Sequence, residues 1–372
     1  MATRVDPSLM VELKDYGAES IEKCFNCGNC TAICPLTSTE HPFPRDMIRI
    51  IQLGLKDDLK QSVDPWLCYY CGDCSLTCPK QAEPGETMMA ARRWLTAQYD
   101  WTGLAGKFYT SKLWEFGSII LTAIFIIILA VLLHGPIVTD SVQLNTFAPV
   151  GMMHAADWIM AAGLIFFIGT NILRMHNNVI MRGSPVKVPL TVYITEAWYF
   201  LLHLFTQKRW SECAADEKTS QEKNYKRLPW INHFWFQTDK IYPITNPQRW
   251  LGYYATGVLL YGAGSVIIGR IKQDRPIHKF SHPSDWIFPI LLLIVTLTGI
   301  LQHTFRYLGL PLATYYTYVI HLAAAFPMLV LEVPFGKWSH LYYRPLAIYF
   351  QQVRKKAREI SQNTKEALSP AN

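Results

Sequence analysis

Charge is scarce in this sequence, at 17% of residues against 50% apolar, and it is unevenly spread. No Asp, Glu, Lys or Arg occurs between Phe116 and Leu133, and four further stretches are as bare. That excludes an ordinary soluble chain. A nucleotide-binding glycine loop, a nucleophile with its base and a proton-abstracting dyad are also missing, so substrate chemistry is expected on other subunits. The first 25 residues hold no apolar run of signal length, which places the N-terminal domain in the cytoplasm as an expectation. Beyond residue 78 there is one cysteine, Cys213, in the charged stretch SECAADEKTSQEK, where it reads as a bystander. The net charge of +7 comes from basic residues flanking apolar runs. Such placement orients a membrane protein and argues against nucleic acid as a partner.

Eight of the nine cysteines crowd into residues 24–78. Cys24, Cys27, Cys30 and Cys34 read C-x-x-C-x-x-C-x-x-x-C-P, and Cys68, Cys71, Cys74 and Cys78 repeat the pattern. This is the ferredoxin run for two [4Fe–4S] clusters. Three thiolates in one tight turn reach three corners of a cubane, and the fourth cysteine completes the other cluster. The expected ligand sets are Cys24, Cys27, Cys30 and Cys78 for one cluster, and Cys68, Cys71, Cys74 and Cys34 for the other. Gly28 and Gly72 sit where backbone must approach inorganic sulfur. Zinc favours two separated C-x-x-C pairs, and cytoplasmic thiols are kept reduced, so zinc and disulfides fit less well. Between the runs, Met47, Ile48, Ile51 and Leu55 fall at helical spacing, which predicts a helical domain.

The fold class read from the sequence is all-α: a helical double-cluster ferredoxin domain (1–112), a membrane bundle of five or six helices (113–345) and a basic cytoplasmic tail (346–372). Candidate spans are Phe116–Leu133, Trp158–Leu173, Leu251–Gly269, Trp286–Phe305 and Leu308–Leu331. Gly309–Leu310–Pro311 breaks the last two into a hairpin. The loop from His134 to Gly151 has no Lys or Arg and is expected outside, whereas Arg174–Lys187, Arg270–Lys279 and the tail are basic and expected inside. An inside loop at 187 and another at 270 require two crossings, of which Leu251–Gly269 is one. The other falls in Val188–Gln207 or around Trp230–Tyr242, neither apolar enough to be convincing.

Ionisable side chains at membrane depth are functional by default. Several of the eleven histidines lie in or beside apolar segments, and bis-histidine b-type haem is the commonest reason. His321 and His340, read as lying on one helix, would be separated by roughly 28 Å at about 1.5 Å per residue. That suits two haems, one near each face. His233, after the basic stretch Lys223–Arg227, is expected near the inner face with His340. His154 and His303 are both candidates to partner His321. His134, His176 and His203 read as interfacial, and His41, His278 and His282 as loop residues.

CFNCGNCTAICP and CYYCGDCSLTCP resemble the C subunit of heterodisulfide reductase. PFGKWSHLYYRP and VIHLAAAF resemble the closing helix of the cytochrome b family of nitrate reductase gamma subunits and heterodisulfide reductase E subunits. There, a Pro-Phe-small-basic-x-x-His motif supplies an inner haem ligand, matched by His340, and an upstream histidine is matched by His321. The fusion is similar to C subunits of quinone-interacting membrane-bound oxidoreductase (Qmo) complexes. The resemblance implies a menaquinone substrate, flavin-containing Qmo A- and B-type partner subunits, electron delivery to adenylylsulfate reductase, and residence in the cell's inner membrane. It also implies a quinol site lined by a basic residue, matched by Arg249, expected at the outer face level with His321 and His303. In the family's second haem helix two histidines ligate; LPWINHFWFQTDKIYP offers only His233. Heterodisulfide- or sulfite-reductase-linked complexes and a non-redox anchor with structural clusters are the competing readings.

Overall fold

The computed structural model describes residues 4–39, 41–206, 247–273, 278 and 281–368. Among them there is no strand.

The N-terminal domain packs short helices around one long one. Helices α1 (Ser8–Asp15) and α2 (Arg45–Gln52) lie against α3 (Pro84–Tyr99). Pro84 opens α3 where no intrahelical N–H is needed. Met47, Ile48 and Ile51 are buried on one face of α2, as their spacing predicts. Leu55 is not on that helix. The chain leaves it after Gln52, and Gly54 adopts φ +72 because a Cβ there would collide with the Asp6 carbonyl. Leu59, on the following turn, completes the core instead.

The membrane part begins with α4 (Lys112–Leu133), capped by the Ser111 hydroxyl. It continues with α5 (Val150–His176), α6 (Leu190–Thr206), α7 (Pro247–Lys272), α8 (Ser284–Tyr307) and α9 (Pro311–Pro327). π-helical turns extend α5 to Arg182 and α9 to Glu332. Five of these helices are long and apolar enough to cross a membrane: Lys112–Leu133, Val150–Arg182, Arg249–Lys272, Ser284–Tyr307 and Pro311–Glu332. Leu113, Leu121, Leu132, Ile159 and Ile165 are each at least 70% exposed. A soluble protein does not leave so long an apolar face to water, and contact with lipid accounts for it. The expected hairpin between α8 and α9 is present, with Gly309 at φ +66 and Pro311 at the first position of α9.

Contacts with the N-terminal domain fix the direction of each helix. Arg174 donates to the Gln98 carbonyl at 3.2 Å and Trp101 to Thr170 at 3.2 Å, so α5 ends beside the domain. Asp285 also meets it through Arg93, and Arg270 donates to the Asp285 carbonyl. The loop bearing His134, Phe147 and the Tyr315 contact lies at the distal end. Arg174, Arg182, Lys187, Arg270 and Lys272 thus flank one side, the domain side. Val192 is buried in the domain-side core, and Arg249 lies over the distal Tyr307. Helix α6 occupies part of that interval and is about 25 Å long at 1.5 Å per residue. Its side packs along the last helix, with Tyr349 donating to the Tyr193 carbonyl at 2.8 Å. Trp230–Tyr242 lies outside the described residues.

That last helix, α10 (His340–Leu368), runs through the expected boundary at 345. Its first half is not a tail. Tyr343, Leu346, Ala347, Phe350 and Val353 share one core with Leu9, Trp66, Met88 and Tyr99 of the N-terminal domain. Tyr343 rests against Trp66 and Tyr99 at ring separations of 4.9 and 5.5 Å, and Arg354 donates to the Gln61 and Gly183 carbonyls.

Candidate functional site

The two cysteine runs fold alike. Asn26 and Tyr70 take φ 59 and 60, and Gly28 and Gly72 take φ 92 and 91. Each glycine is the left-handed residue that opens a short helix, Asn29–Ile33 or Asp73–Leu76. The conformation itself demands glycine here, a reason additional to room for sulfide. The result is two concave sites. One is lined by Cys24, Cys27, Cys30 and Cys78 with Pro79 and Arg45. The other is lined by Cys34, Cys68, Cys71 and Cys74 with Pro35 and Tyr70. All eight thiols are free of disulfides. Among the described residues no three His, Cys, Asp or Glu side chains converge closely enough for one metal ion. Four sulfurs ringing a volume suit a polynuclear cluster better than a single zinc. Burial pushes the Cys71 thiol up to about 11 and Cys74 higher still, so ionisation there calls for a metal, which strips the thiol proton outright.

The second site sits against the membrane part. The Cys68 carbonyl accepts from Arg92 and, at 2.5 Å, from Arg344. Arg344 also donates to the Trp66 carbonyl at 3.2 Å. His340 precedes Arg344 by one helical turn, about 5.4 Å. Its Nδ1 faces the Lys337 carbonyl. A carbonyl only accepts, so Nδ1 carries the proton and Nε2 is the bare nitrogen. Burial and the neighbouring Arg344 push the imidazole down to about 3. The neutral form is the one that binds iron.

His321 has the same arrangement. Its Nδ1 lies 3.0 Å from Thr298 Oγ1, and that hydroxyl spends its own proton on the Ile294 carbonyl at 2.8 Å. Nδ1 is again the donor and Nε2 is left bare, the orientation that metal-bound histidines share. Two expectations about His321 are corrected. It does not share a helix with His340, because α9 and its π turn end at Glu332 and α10 starts at His340 itself. Nor is it level with His303. Its neighbours are Thr298 and Gly299, mid-span. His303 is four residues beyond Gly299 toward the distal end, bonded through Nε2 to Tyr253 at 3.0 Å and packed on Tyr307 at 4.7 Å. His154 is exposed near the distal end of α5, beside Met153 of the Phe147–Tyr315 cluster. Arg249 lies over the Tyr307 ring at 4.8 Å, in the His303 group. His233 is outside the described residues.

A charged seam, unforeseen from the sequence, joins the two parts. Asp285, its side chain 6% exposed, accepts from Arg93 at 3.1 Å and pairs with Lys337. Arg270 donates to its carbonyl. His282, expected to be an idle loop residue, packs against Gly17 and donates its backbone N–H to Asp285 at 3.2 Å. Burial pushes its imidazole down to about 4. Glu332 accepts the Lys337 backbone N–H at 3.0 Å. A Cβ on Gly336 would strike that carboxylate. The small and basic positions of Pro334–Phe335–Gly336–Lys337 are therefore explained: glycine makes room for Glu332, and lysine reaches Asp285. No periodicity marks these residues; only the isolated charges Glu115, Asp285 and Glu332 at the ends of apolar runs signal them.

Residues 20–82 match the 4Fe-4S dicluster domain family. They form a 4Fe–4S dicluster domain. The chain is similar to a heterodisulfide reductase C-subunit-like protein of Archaeoglobus profundus, 33% identical over 122 residues, covering 32% of this chain and 64% of that one. The C subunit of the H(2):CoB-CoM heterodisulfide,ferredoxin reductase of Methanothermobacter marburgensis is 32% identical over 88 residues, 24% of this chain and 48% of that one. The iron-sulfur C subunit of the Methanopyrus kandleri CoB–CoM heterodisulfide reductase is 34% identical over 73 residues, 20% and 38%. The chain thus spans less than two thirds of each relative's length. No solved structure matches the chain at comparable significance. This protein joins an iron–sulfur electron-transfer domain like that of heterodisulfide reductase C subunits to helices fit to span a membrane. The dicluster domain has its second cysteine site against Arg344, one helical turn after His340.

Proposed function

We propose that this chain is a membrane electron relay, passing electrons between a quinol pool and soluble partners by way of b-type haem and the two clusters. The observation that carries it is one turn of α10. His340, with Nε2 bare, and Arg344, which grips the Cys68 carbonyl, sit on the same helix face. A redox group bound at His340 adjoins the cluster site of Cys34, Cys68, Cys71 and Cys74 without any moving part. Cys24, Cys27, Cys30 and Cys78 would hold the other cluster. His321 would hold a second haem in mid-span, with Thr298 orienting the ring. Haem and clusters supply one-electron chemistry that no side chain offers. The chain fixes their spacing on rigid helices. The basic domain side favours a cytoplasmic dicluster domain in the inner membrane.

His340→Ala is the direct test. Stopped-flow reduction by a menaquinol analogue, followed at cluster absorbance, falls to background, and part of the reduced b-haem α-band disappears. Cluster reduction at the wild-type rate defeats the route. Co-purification from native membranes then identifies the partners. Menaquinone, flavin-containing Qmo A- and B-type subunits and adenylylsulfate reductase are the set favoured by the fused modules. A heterodisulfide reductase-like complex is favoured by the names of the relatives, and recovery of its subunits instead would decide for it.

The quinol site in this reading lies at the distal cluster of Arg249, Tyr253, His303 and Tyr307. Arg249→Ala raises the KM for the menaquinol analogue roughly tenfold, the equivalent of about 1.5 kcal/mol for one hydrogen bond to a charged group. The reduced haem spectrum stays unchanged. An unaltered KM moves the pocket elsewhere.

A further inference from the structure

Four buried acids crowd the seam. Glu86, Glu115, Asp285 and Glu332 are all at most 6% exposed, and they meet three cations, Arg93, Arg270 and Lys337. Asp285 takes most of that positive charge, pairing with Arg93 and Lys337. Glu332 and Glu115, 1% and 2% exposed, have one carboxyl oxygen each, Oε1, buried without a hydrogen-bond partner. The helices that carry them, α4 and α9 with its π turn, pack on one another. Neighbouring carboxylates in a dry setting do not both ionise. An orphaned carboxyl oxygen is costly in either form, and least so when the pair holds a proton.

The pair also has a physical line to both redox positions. Glu332 accepts from the Lys337 backbone, and the Lys337 carbonyl receives His340 Nδ1. Lys337 and Arg93 both pair with Asp285. Glu86, two turns before Arg93 on α3, accepts from the hydroxyl of Tyr70, between Cys68 and Cys71. Every charged or titratable neighbour is accounted for by element: Lys112 on α4, Tyr109 just before it, Glu86 and Arg93 on α3, Arg270 on α7, His282 before α8, Asp285 on α8 and Lys337 in the turn. Lys112, about one turn before Glu115, is exposed.

We propose that Glu115 and Glu332 form a buried proton-binding pair on the domain side of the membrane, which gains a proton when the adjoining redox centres are reduced. This deepens the relay reading above and rests on it. The electron comes from quinol, or from dithionite in the test. The proton comes from water on the domain side and forms an O–H bond at a carboxyl oxygen of the pair. Negative charge arriving at either redox position raises the pair's proton affinity through Coulomb's law in a medium of low dielectric.

The test is a reduced-minus-oxidised infrared difference spectrum of the full-length protein in detergent, in ordinary and heavy water. The wild type is expected to gain a protonated-carboxyl carbonyl band on reduction, shifted in heavy water. Glu332→Gln and Glu115→Gln, with iron content as the check on folding, each remove it. Gln keeps the acceptor for the Lys337 N–H, so the turn is preserved in Glu332→Gln. Absence of the band in wild type overturns the proposal, as does a band that survives both substitutions. The wild-type measurement decides even where a variant fails to fold. A preparation without a b-haem α-band would remove haem from the relay reading, yet the infrared test is still read on the clusters alone.

Discussion

Cys78→Ser removes the cluster built on Cys24, Cys27 and Cys30 and spares the one built on Cys68, Cys71 and Cys74, although Cys78 belongs to the second run. The reason is the crossed lining of the two sites. Cys78 closes the cavity of the first run, and Cys34 closes that of the second. The single turns Asn29–Ile33 and Asp73–Leu76 pack on one another, so each fourth cysteine is delivered across the pseudo-symmetric pair. Iron content is expected to fall by about half, with one of two reduced-state EPR signals lost. Metal binding is part of this domain's folding free energy, so thermal unfolding followed by circular dichroism also shifts down. The mirror variant, Cys34→Ser, spares the first signal and removes the second. A spectrum in which Cys78→Ser costs the cluster of its own run would sink the crossed arrangement.

How much of this was legible beforehand depended on the kind of signal. Cysteine spacing is local and chemical, so the doubled run predicts two sites, and the fold places the eight thiols in two groups of four. Long apolar runs are equally plain, and all five expected segments are helices fit to span a membrane. Breaks were less plain. The sequence from Val319 to His340 reads as one apolar stretch with an ending motif, yet Glu332 folds back onto the turn at Gly336 and Lys337, and a new helix starts at His340. Depth was misjudged for the same reason: His321 is set by the α8–α9 hairpin register, a tertiary quantity. The seam was illegible because its members, Arg93, Glu115, His282, Asp285, Glu332 and Lys337, come from four separate segments of the chain. Each alone reads as a solvated charge at a helix end. Likewise α10 looks like a basic tail, and only its core partners Trp66 and Tyr99 disclose that half of it is interior.

Asp285→Ala should uncouple the dicluster domain from the membrane helices more severely than any other single change in the seam. Arg93, 3% exposed, and Lys337 both converge on the Asp285 carboxylate. Burying charges is expensive, and the pair persists because each charge compensates the other. Removing the anion leaves two cations uncompensated, a loss of about 3–5 kcal/mol by analogy with other buried pairs. Lys337, which burial already pushes down to about 8, then sheds its proton readily. The Lys337 turn also holds His340 Nδ1, so a displaced lysine loosens the histidine. The expected phenotype is therefore double: a lower midpoint in thermal unfolding followed at cluster absorbance and, on the relay reading proposed above, a weakened b-haem α-band, with both clusters still present at the start. A purely structural loss would lower stability and leave the haem spectrum alone. Adding Arg93→Met to Asp285→Ala provides the control, because an apolar side chain of similar length no longer needs a counter-charge. Partial recovery of the midpoint identifies the uncompensated cation as the cause. If the two losses simply add, packing rather than charge holds the seam together.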